Sequence, residues 1–293
     1  MNKAKEEFIS LIDPLKTKII SKLPLVWVFG ATGNNSNRSK FLKWHLQSNH
    51  DLSERLRTPE DYPNWLHFNQ YSNLVDFELD ITAISQAIII FSESTGTTAE
   101  IGMLSCFTEL HKNILIVIDE EYIKRENISF FNLGPIRKIK ENMISEDLTN
   151  VWALNVCFDE NIQNKIFSDI SDHVYDMVTT KNNKDIKLDI NSRHHKIMLL
   201  LDLIDLFPKQ TKKFYTSILK VFNIEISTTE FKKIIDLLDL LQIILINESG
   251  NNTYYSLKEP DKYTTCINYQ ATSPNRFERK AFKIDMRGRL NVT

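Results

Sequence analysis

Two carboxylates are the first residues whose type and position could do chemistry. Glu100 lies in AIIIFSESTGTTAEIGMLSCF, residues 87–107. Ile88-Ile89-Ile90-Phe91 is a continuous apolar, β-branched run, the pattern of a strand buried on both faces. The polar loop Ser94-Thr95-Gly96-Thr97-Thr98 follows, its hydroxyls placed to cap a helix that opens at Ala99-Glu100-Ile101-Gly102. Glu100 therefore falls in a first helical turn at the carboxyl end of a strand, the crevice in which open α/β sheets bind ligands. Free backbone N–H groups there favour the ionised, nucleophilic carboxylate, although the same placement also suits a Glu that only complements the helix dipole. Asp80 borders an apolar stripe of Leu74, Phe77, Ile81 and Ile84 at helical spacing. Its carboxylate is either solvated or aimed into a cleft.

The elements that must position these acids alternate along the first half. Residues 24–29 read as a first buried strand. It stops at Gly30-Ala31-Thr32-Gly33-Asn34-Asn35-Ser36-Asn37, a glycine- and amide-rich loop suited to cradle a phosphate or ribose ahead of a helix over 38–47. No Gly-Lys-Ser/Thr and no GxGxxG follows, which excludes a P-loop and the common dinucleotide fingerprint. Residues 51–72, with Tyr62, Trp65, Phe68 and Tyr71, read as irregular, walling a pocket or covering a sheet edge. Further strands are expected at 114–119 and 151–156, with a short helical piece at 136–141 and a closing helix at 161–178. This alternation predicts a doubly wound parallel sheet, an α/β domain over 23–180. Residues 1–22 read as a helical arm broken near Pro14, either a brace or an interface.

A polar linker at 179–185 separates a different pattern in 190–293. Helices are expected at 196–206, 211–222 and 231–240, the last opened by the capping box Ser227-Thr228-Thr229-Glu230, and a hairpin at 241–257. Three helices and a hairpin predict a winged helix-turn-helix domain, a common DNA reader. Its third helix sets Lys232 and Lys233 beside Asp236 and Asp239. The tail Arg276-Phe277-Glu278-Arg279-Lys280-Ala281-Phe282-Lys283 is more clearly basic, with aromatics interleaved. Lys232, Lys233, Arg276, Arg279, Lys280 and Lys283 are the candidate nucleic-acid or partner contacts.

Composition narrows the function. The 293 residues are 42% hydrophobic with a net charge of −2, enough for a substantial core. That charge hides an asymmetry: residues 191–293 hold 16 Lys/Arg against 11 Asp/Glu, leaving 20 against 27 in residues 1–190. No apolar run reaches membrane length and the start carries acids, so a cytoplasmic protein is expected, with no membrane. Three widely spaced cysteines suggest neither disulfides nor a zinc site.

Three ordered segments carry a resemblance: Val28-Phe29-Gly30-Ala31 with its polar loop, Leu79-Asp80-Ile81-Thr82-Ala83-Ile84-Ser85-Gln86-Ala87, and Gly96-Thr97-Thr98-Ala99-Glu100-Ile101-Gly102. Over about residues 24–140 the chain resembles the nucleoside 2-deoxyribosyltransferase family. The resemblance implies that Glu100 attacks the anomeric carbon of a nucleoside and that Asp80 contacts or protonates the base. Phe29, Gly30, Ala31, Thr32, Ser94, Gly96 and Thr97 would then hold sugar and phosphate, with Glu93 a reserve carboxylate and Arg137 a phosphate ligand or a plain surface residue. Val28 replaces a Tyr that the family often has, and Ser94 an Asp that serves the base. Both departures favour hydrolysis, or a leaving base such as nicotinamide that needs little protonation. The family completes its sites across subunits, implying a homo-oligomer.

Phe91-Ser92-Glu93-Ser94-Thr95-Gly96, Asn132-Leu133-Gly134-Pro135-Ile136-Arg137 and the appended second half are similar to a narrower group, the transferase-like effectors of type II bacterial retrons. That likeness implies a toxic anti-phage N-glycosidase acting on NAD or a related nucleotide as substrate, with no cofactor of its own. Its partners would be a retron reverse transcriptase and msDNA, an RNA–DNA hybrid, which restrain it. The alternatives are a nucleoside-salvage transferase and a nucleotide-sensing DNA-binding regulator.

Overall fold

A computed structural model describes residues 2–62, 71, 73–124, 128–141, 150–154, 159–179, 185–260, 266–271 and 277–291. The chain divides into two compact units. One comprises Pro24–Pro63 and Val75–Lys181, the other Met1–Leu23, Asn64–Leu74 and Asn182–Thr293.

The first unit is α/β, built on a five-stranded sheet. Across the sheet the strands run Leu56–Arg57, Leu23–Phe29, Ser85–Ser92, Ile114–Asp119 and Val151–Leu154. The registers Val26 opposite Leu56, Ile90 opposite Ile116 and Ile118 opposite Ala153 are parallel. Counted along the chain the order is 2-1-3-4-5, which reverses direction between Leu23–Phe29 and Ser85–Ser92. In such sheets the crevice beyond the carboxyl ends at the reversal is the ligand site.

The apolar runs explain why these strands are central. Ile88, Ile89, Ile90 and Phe91 are each 0% exposed, and full burial of such a side chain contributes about 1.5–3 kcal/mol. Val26, Val28, Ile89, Phe91, Leu115 and Val117 pack on one face with Phe41 of the Asn37–Gln47 helix and Phe167, Ile170 and Val174 of the Glu160–Thr179 helix. The alternate residues Leu25, Trp27, Ile88, Ile90, Ile116 and Ile118 are buried too, so both faces are covered. Trp27 Nε1 donates to Ser85 Oγ at 2.9 Å, satisfying the polar atom of a large buried ring.

Within the segment read as irregular, Leu56–Arg57 is an edge strand and Pro59–Asp61 a turn of 3₁₀ helix capped by Thr58; Trp65 and Phe68 lie outside the described residues. The strand expected at 151–156 is described only as Val151–Leu154, its last two positions lying outside.

In the second unit, helices Arg193–Leu206, Lys212–Leu219 and Thr228–Leu240 accompany a three-stranded antiparallel sheet. Its order is Gln210–Thr211, Asn252–Leu257, Ile244–Ser249. Gly250, at φ +57°, makes the tight turn between the last two strands, a conformation glycine adopts at no steric cost. Ser227 Oγ accepts from Glu230 N at 3.0 Å and opens the third helix as its capping residues require.

The first 22 residues are not set apart as an arm. Lys18–Ile19 is the middle strand between Ile186–Lys187 and Ile267–Asn268. Phe8, 0% exposed, meets Phe207, Tyr269, Phe277 and Phe282 at ring centroid distances of 5.1–5.8 Å. The apolar face that the sequence offered for an interface is used inside this unit. Among the described residues no helix is long and apolar enough to cross a membrane.

Candidate active site at the carboxyl edge of the sheet

At the sheet's reversal point Phe29 ends its strand, 3% exposed, and Gly30 follows. A Cβ on Gly30 would lie 2.6 Å from Arg38 Cβ and 2.7 Å from its Cδ. The glycine is therefore required by the close approach of Arg38. The Arg38 guanidinium is buried; Nη1 donates to Gly30 O and to Glu60 Oε1, both at 3.2 Å, and Nη2 to Glu60 Oε2. Burial alone would raise the Glu60 carboxyl, but the Arg38 hydrogen bonds and charge outweigh it and hold Glu60 below the usual range.

Glu93 spans the reversal. Its carboxylate accepts from Asn37 N at 2.5 Å and Arg38 N at 3.0 Å, the first turn of the Asn37–Gln47 helix. It thereby takes the anion position at that helix N-terminus, where the loop 30–37 was expected to seat a phosphate. Ala31 O accepts from Ser36 Oγ at 2.7 Å, and Thr32 is exposed.

Ser94 and Thr97 cap the Thr95–Leu104 helix: Ser94 Oγ accepts from Thr97 N at 3.2 Å, and Thr97 Oγ1 from Ser94 N at 3.0 Å. Gly96 is exposed in the first turn. Glu100 follows within that helix, half-buried, and its Oε2 is buried with no hydrogen-bond partner among the described residues. Burial pushes the Glu100 carboxyl up, Arg38 pulls it down, and Glu60 adds to the rise. A buried carboxylate oxygen left unpaired is unusual and costly, so it calls for a partner beyond those the described residues supply.

A second acid whose charge couples to Glu100, beside Glu60, is Glu78. Burial, then the Glu100 charge, lift its carboxyl from 4.5 to about 7. Burial thus raises both carboxyls, and Glu78 as far as about 7, where a carboxyl can hold and release a proton near neutral pH. Asp80, 4% exposed, lies with Glu78 on the helix Leu74–Ile84 and has interactions of its own. Glu78 went unnoticed in the sequence although a signal existed. It stands four residues after Leu74 and three before Ile81, on the apolar stripe itself. Arg38 and Glu60 carried no such signal.

A cavity of about 830 Å³ opens beside this site, at the carboxyl ends of Ser85–Ser92, Ile114–Asp119 and Val151–Leu154. Glu93, Ser94 and Thr98 line it, whereas Glu78, Asp80 and Glu100 do not. The acid cluster and the cavity thus share the Thr95–Leu104 helix but not its lining. Among the described residues no group of His, Cys, Asp and Glu is arranged to hold a metal ion. Arg137 is exposed and pairs with Glu141 at 2.7 Å.

The candidate nucleic-acid contacts of the second unit separate into two kinds. Arg279 donates to Asp202 at 2.8 Å and to Asp205 at 2.6 Å, and Lys283 to Asp205 at 2.7 Å, with Tyr269 OH on Asp202 at 2.7 Å. These two cations are neutralised inside the unit and are not exposed phosphate contacts. Lys233 Nζ sits 4.2 Å from the Tyr71 ring centroid. Lys232 and Lys280 are exposed, and Arg276 lies outside the described residues.

A family model described as "STM3845 retron effector protein" matches residues 34–246, well over half of the chain. The chain is also 28% identical over 196 residues to an Escherichia coli protein named "Retron Ec73 putative ribosyltransferase/DNA-binding protein". That match covers 63% of this chain and 60% of the relative's length.

Proposed function

The chain belongs to the STM3845 retron effector protein family, and from that membership we propose that it is the toxic effector of a retron anti-phage system, an N-glycosidase of nucleotides. Glu100 acts at C1′ of the ribose, as nucleophile or as the counter-charge of an oxocarbenium ion. Glu78 holds the proton that a leaving base needs, and Asp80 orients that base. One carboxylate at the anomeric carbon and one acid for the leaving group is the division of labour of glycoside hydrolysis. The observation that carries this reading is the Glu100 carboxyl at the reversal point, its Oε2 buried without a partner among the described residues and its charge coupled to Glu78, whose carboxyl is raised to about 7. The relative's name, which includes ribosyltransferase, supports a glycosyl-transfer type of enzyme.

NAD is the favoured substrate. Nicotinamide leaves as a neutral base because departure cancels its own positive charge, so little protonation is required. The second unit, with its helix–strand–helix–helix–hairpin order, is the winged helix-turn-helix through which reverse transcriptase and msDNA restrain the enzyme. Incubating the purified protein with NAD, nucleosides and deoxynucleotides, and following free base by chromatography, tests the activity. Wild type is expected to release base and Glu100→Gln to lose that release by at least a hundredfold.

A second reading, a nucleotide-sensing DNA-binding regulator, draws on that same element order and on the words "DNA-binding" in the relative's name. It predicts nucleotide binding without turnover in wild type and Glu100→Gln alike.

A further inference from the structure

The 830 Å³ cavity is within the range of small-molecule sites and is not explained by the acid cluster. We propose that it binds a neutral ribonucleoside moiety, with Asp119 accepting from the ribose diol and Tyr122 and Phe131 flanking the base. The proposal rests on the cavity and stands apart from the glycosidase reading. It applies equally to the second nucleoside of a dinucleotide substrate and to a separate nucleoside.

The described lining favours a neutral group over a phosphate in this place. Its described residues include two carboxylates, Glu93 and Asp119, and no Lys, Arg or His. The two helix N-termini nearby, the usual anion seats, are already used: Glu93 fills that of Asn37–Gln47, and Ser94 Oγ caps that of Thr95–Leu104. A phosphate entering here would meet the negative charge of Glu93 and Asp119, with no compensating cation among the described lining residues.

The same lining suits a ribose and a base. Asp119 ends its strand, and its Oδ1 accepts from Glu121 N at 2.9 Å, which orients a carboxylate able to accept from a ligand hydroxyl as well. A carboxylate at a strand's carboxyl end that accepts from vicinal ribose hydroxyls is a recurrent solution in parallel sheets. Tyr122 is 58% exposed although it is a large aromatic, and Phe131 also lines the cavity. Such rings gain from stacking on a base. Asn132 Nδ2 donates to Tyr122 O at 3.0 Å, tying the two aromatic-bearing segments together.

Calorimetric titration of the full-length Glu100→Gln protein tests this without turnover of the probe. The probes are adenosine, cytidine, 2′-deoxyadenosine and adenosine 5′-monophosphate. Saturable binding of adenosine or cytidine is expected. The 2′-deoxy compound should bind at least fivefold more weakly and the monophosphate no more tightly than the nucleoside. Asp119→Asn should weaken ribonucleoside binding about tenfold, while Tyr122→Ala weakens ribo- and deoxyribonucleosides alike. Circular dichroism on both variants confirms that they fold. No nucleoside binding, tighter binding of the monophosphate, or affinity unchanged by Asp119→Asn overturns the proposal. Base release by wild type in the activity assay would survive each of those results, so the two readings fail separately.

Discussion

Each unit withdraws a pair of carboxyls at least partly from water, Asp202 with Asp205 and Glu78 with Glu100, and the two pairs are treated in opposite ways. Asp202 and Asp205 meet Arg279, Lys283 and the Tyr269 hydroxyl, so each negative charge has a positive partner. Glu78 and Glu100 have each other and an Arg38 already hydrogen-bonded to Glu60, and one Glu100 oxygen has nothing among the described residues. Nearby sequence does not force this difference. A fully paired buried cluster holds an element in place, here the Arg279–Asn291 helix against Arg193–Leu206. An under-compensated one stores proton affinity and an empty acceptor, the combination found where chemistry is done.

The largest expected effect breaks the paired side. Asp205→Ala leaves Arg279 and Lys283 buried with half their counter-charge, and should cost about 3–5 kcal/mol in denaturant unfolding. A loss below 1 kcal/mol would place the two cations in solvent and end the contrast.

The under-compensated side behaves oppositely with pH. Glu78 titrates near 7 folded and at 4.5 unfolded, so the native state keeps a proton that the unfolded chain releases. Stability conferred on the protonated form is complete below pH 4.5 and fades as pH rises to about 7, by on the order of 3 kcal/mol. Glu78→Gln cannot ionise and is expected to be the more stable protein above pH 7, with no advantage near pH 4. Unfolding curves for the two proteins that stay parallel across that interval would show that the Glu78 carboxyl is not raised in the folded protein.

A smaller effect sharpens the role of Arg38. Gly30→Ala forces its Cβ into the Arg38 side chain and should destabilise by about 1–3 kcal/mol. In the Arg38→Gly background the same change should cost clearly less, because the Arg38 Cβ it strikes at 2.6 Å and the atoms beyond it are gone. Additive costs would mean that the glycine serves something else. The smallest effects belong to Lys232 and Lys280, exposed in the second unit. Replacing either by Ala should move stability by less than about 0.5 kcal/mol; any lowering of nucleic-acid affinity by these variants would therefore report a lost contact and not a lost fold.

The sheet was legible because its central strands are continuous apolar runs, which only burial on both faces explains. The strand Leu56–Arg57 was not: two residues leave no period, and its position comes from pairing with Val26 and Trp27. Likewise Lys18–Ile19 becomes a middle strand through partners near 186 and 267, a separation that no local pattern records. At the site, Glu100 was marked by its loop and helix start, whereas Arg38 and Glu60 meet only because the chain reverses around Gly30. Glu93 could be seen as a carboxylate at the sheet edge, yet its use on Asn37 N and Arg38 N follows from strand order alone. The basic tail shows the limit of charge counting. Arg279 and Lys283 are spaced like an exposed stripe, but Asp202 and Asp205 on the Arg193–Leu206 helix are set at the matching spacing, and each cation is neutralised.

The central claim is that Glu100 is the reactive carboxylate and Glu78 its proton-holding neighbour. The most direct test is the rate of base release from NAD and from a purine nucleotide between pH 5 and 9, by wild type, Glu78→Gln and Glu100→Gln, with reverse transcriptase and msDNA also supplied. The account predicts no release by Glu100→Gln from either compound. It further predicts that wild-type release of purine falls above about pH 7 while release of nicotinamide does not, and that Glu78→Gln spares nicotinamide release more than purine release. Equal release by Glu100→Gln, or none by wild type under any of these conditions, would contradict it.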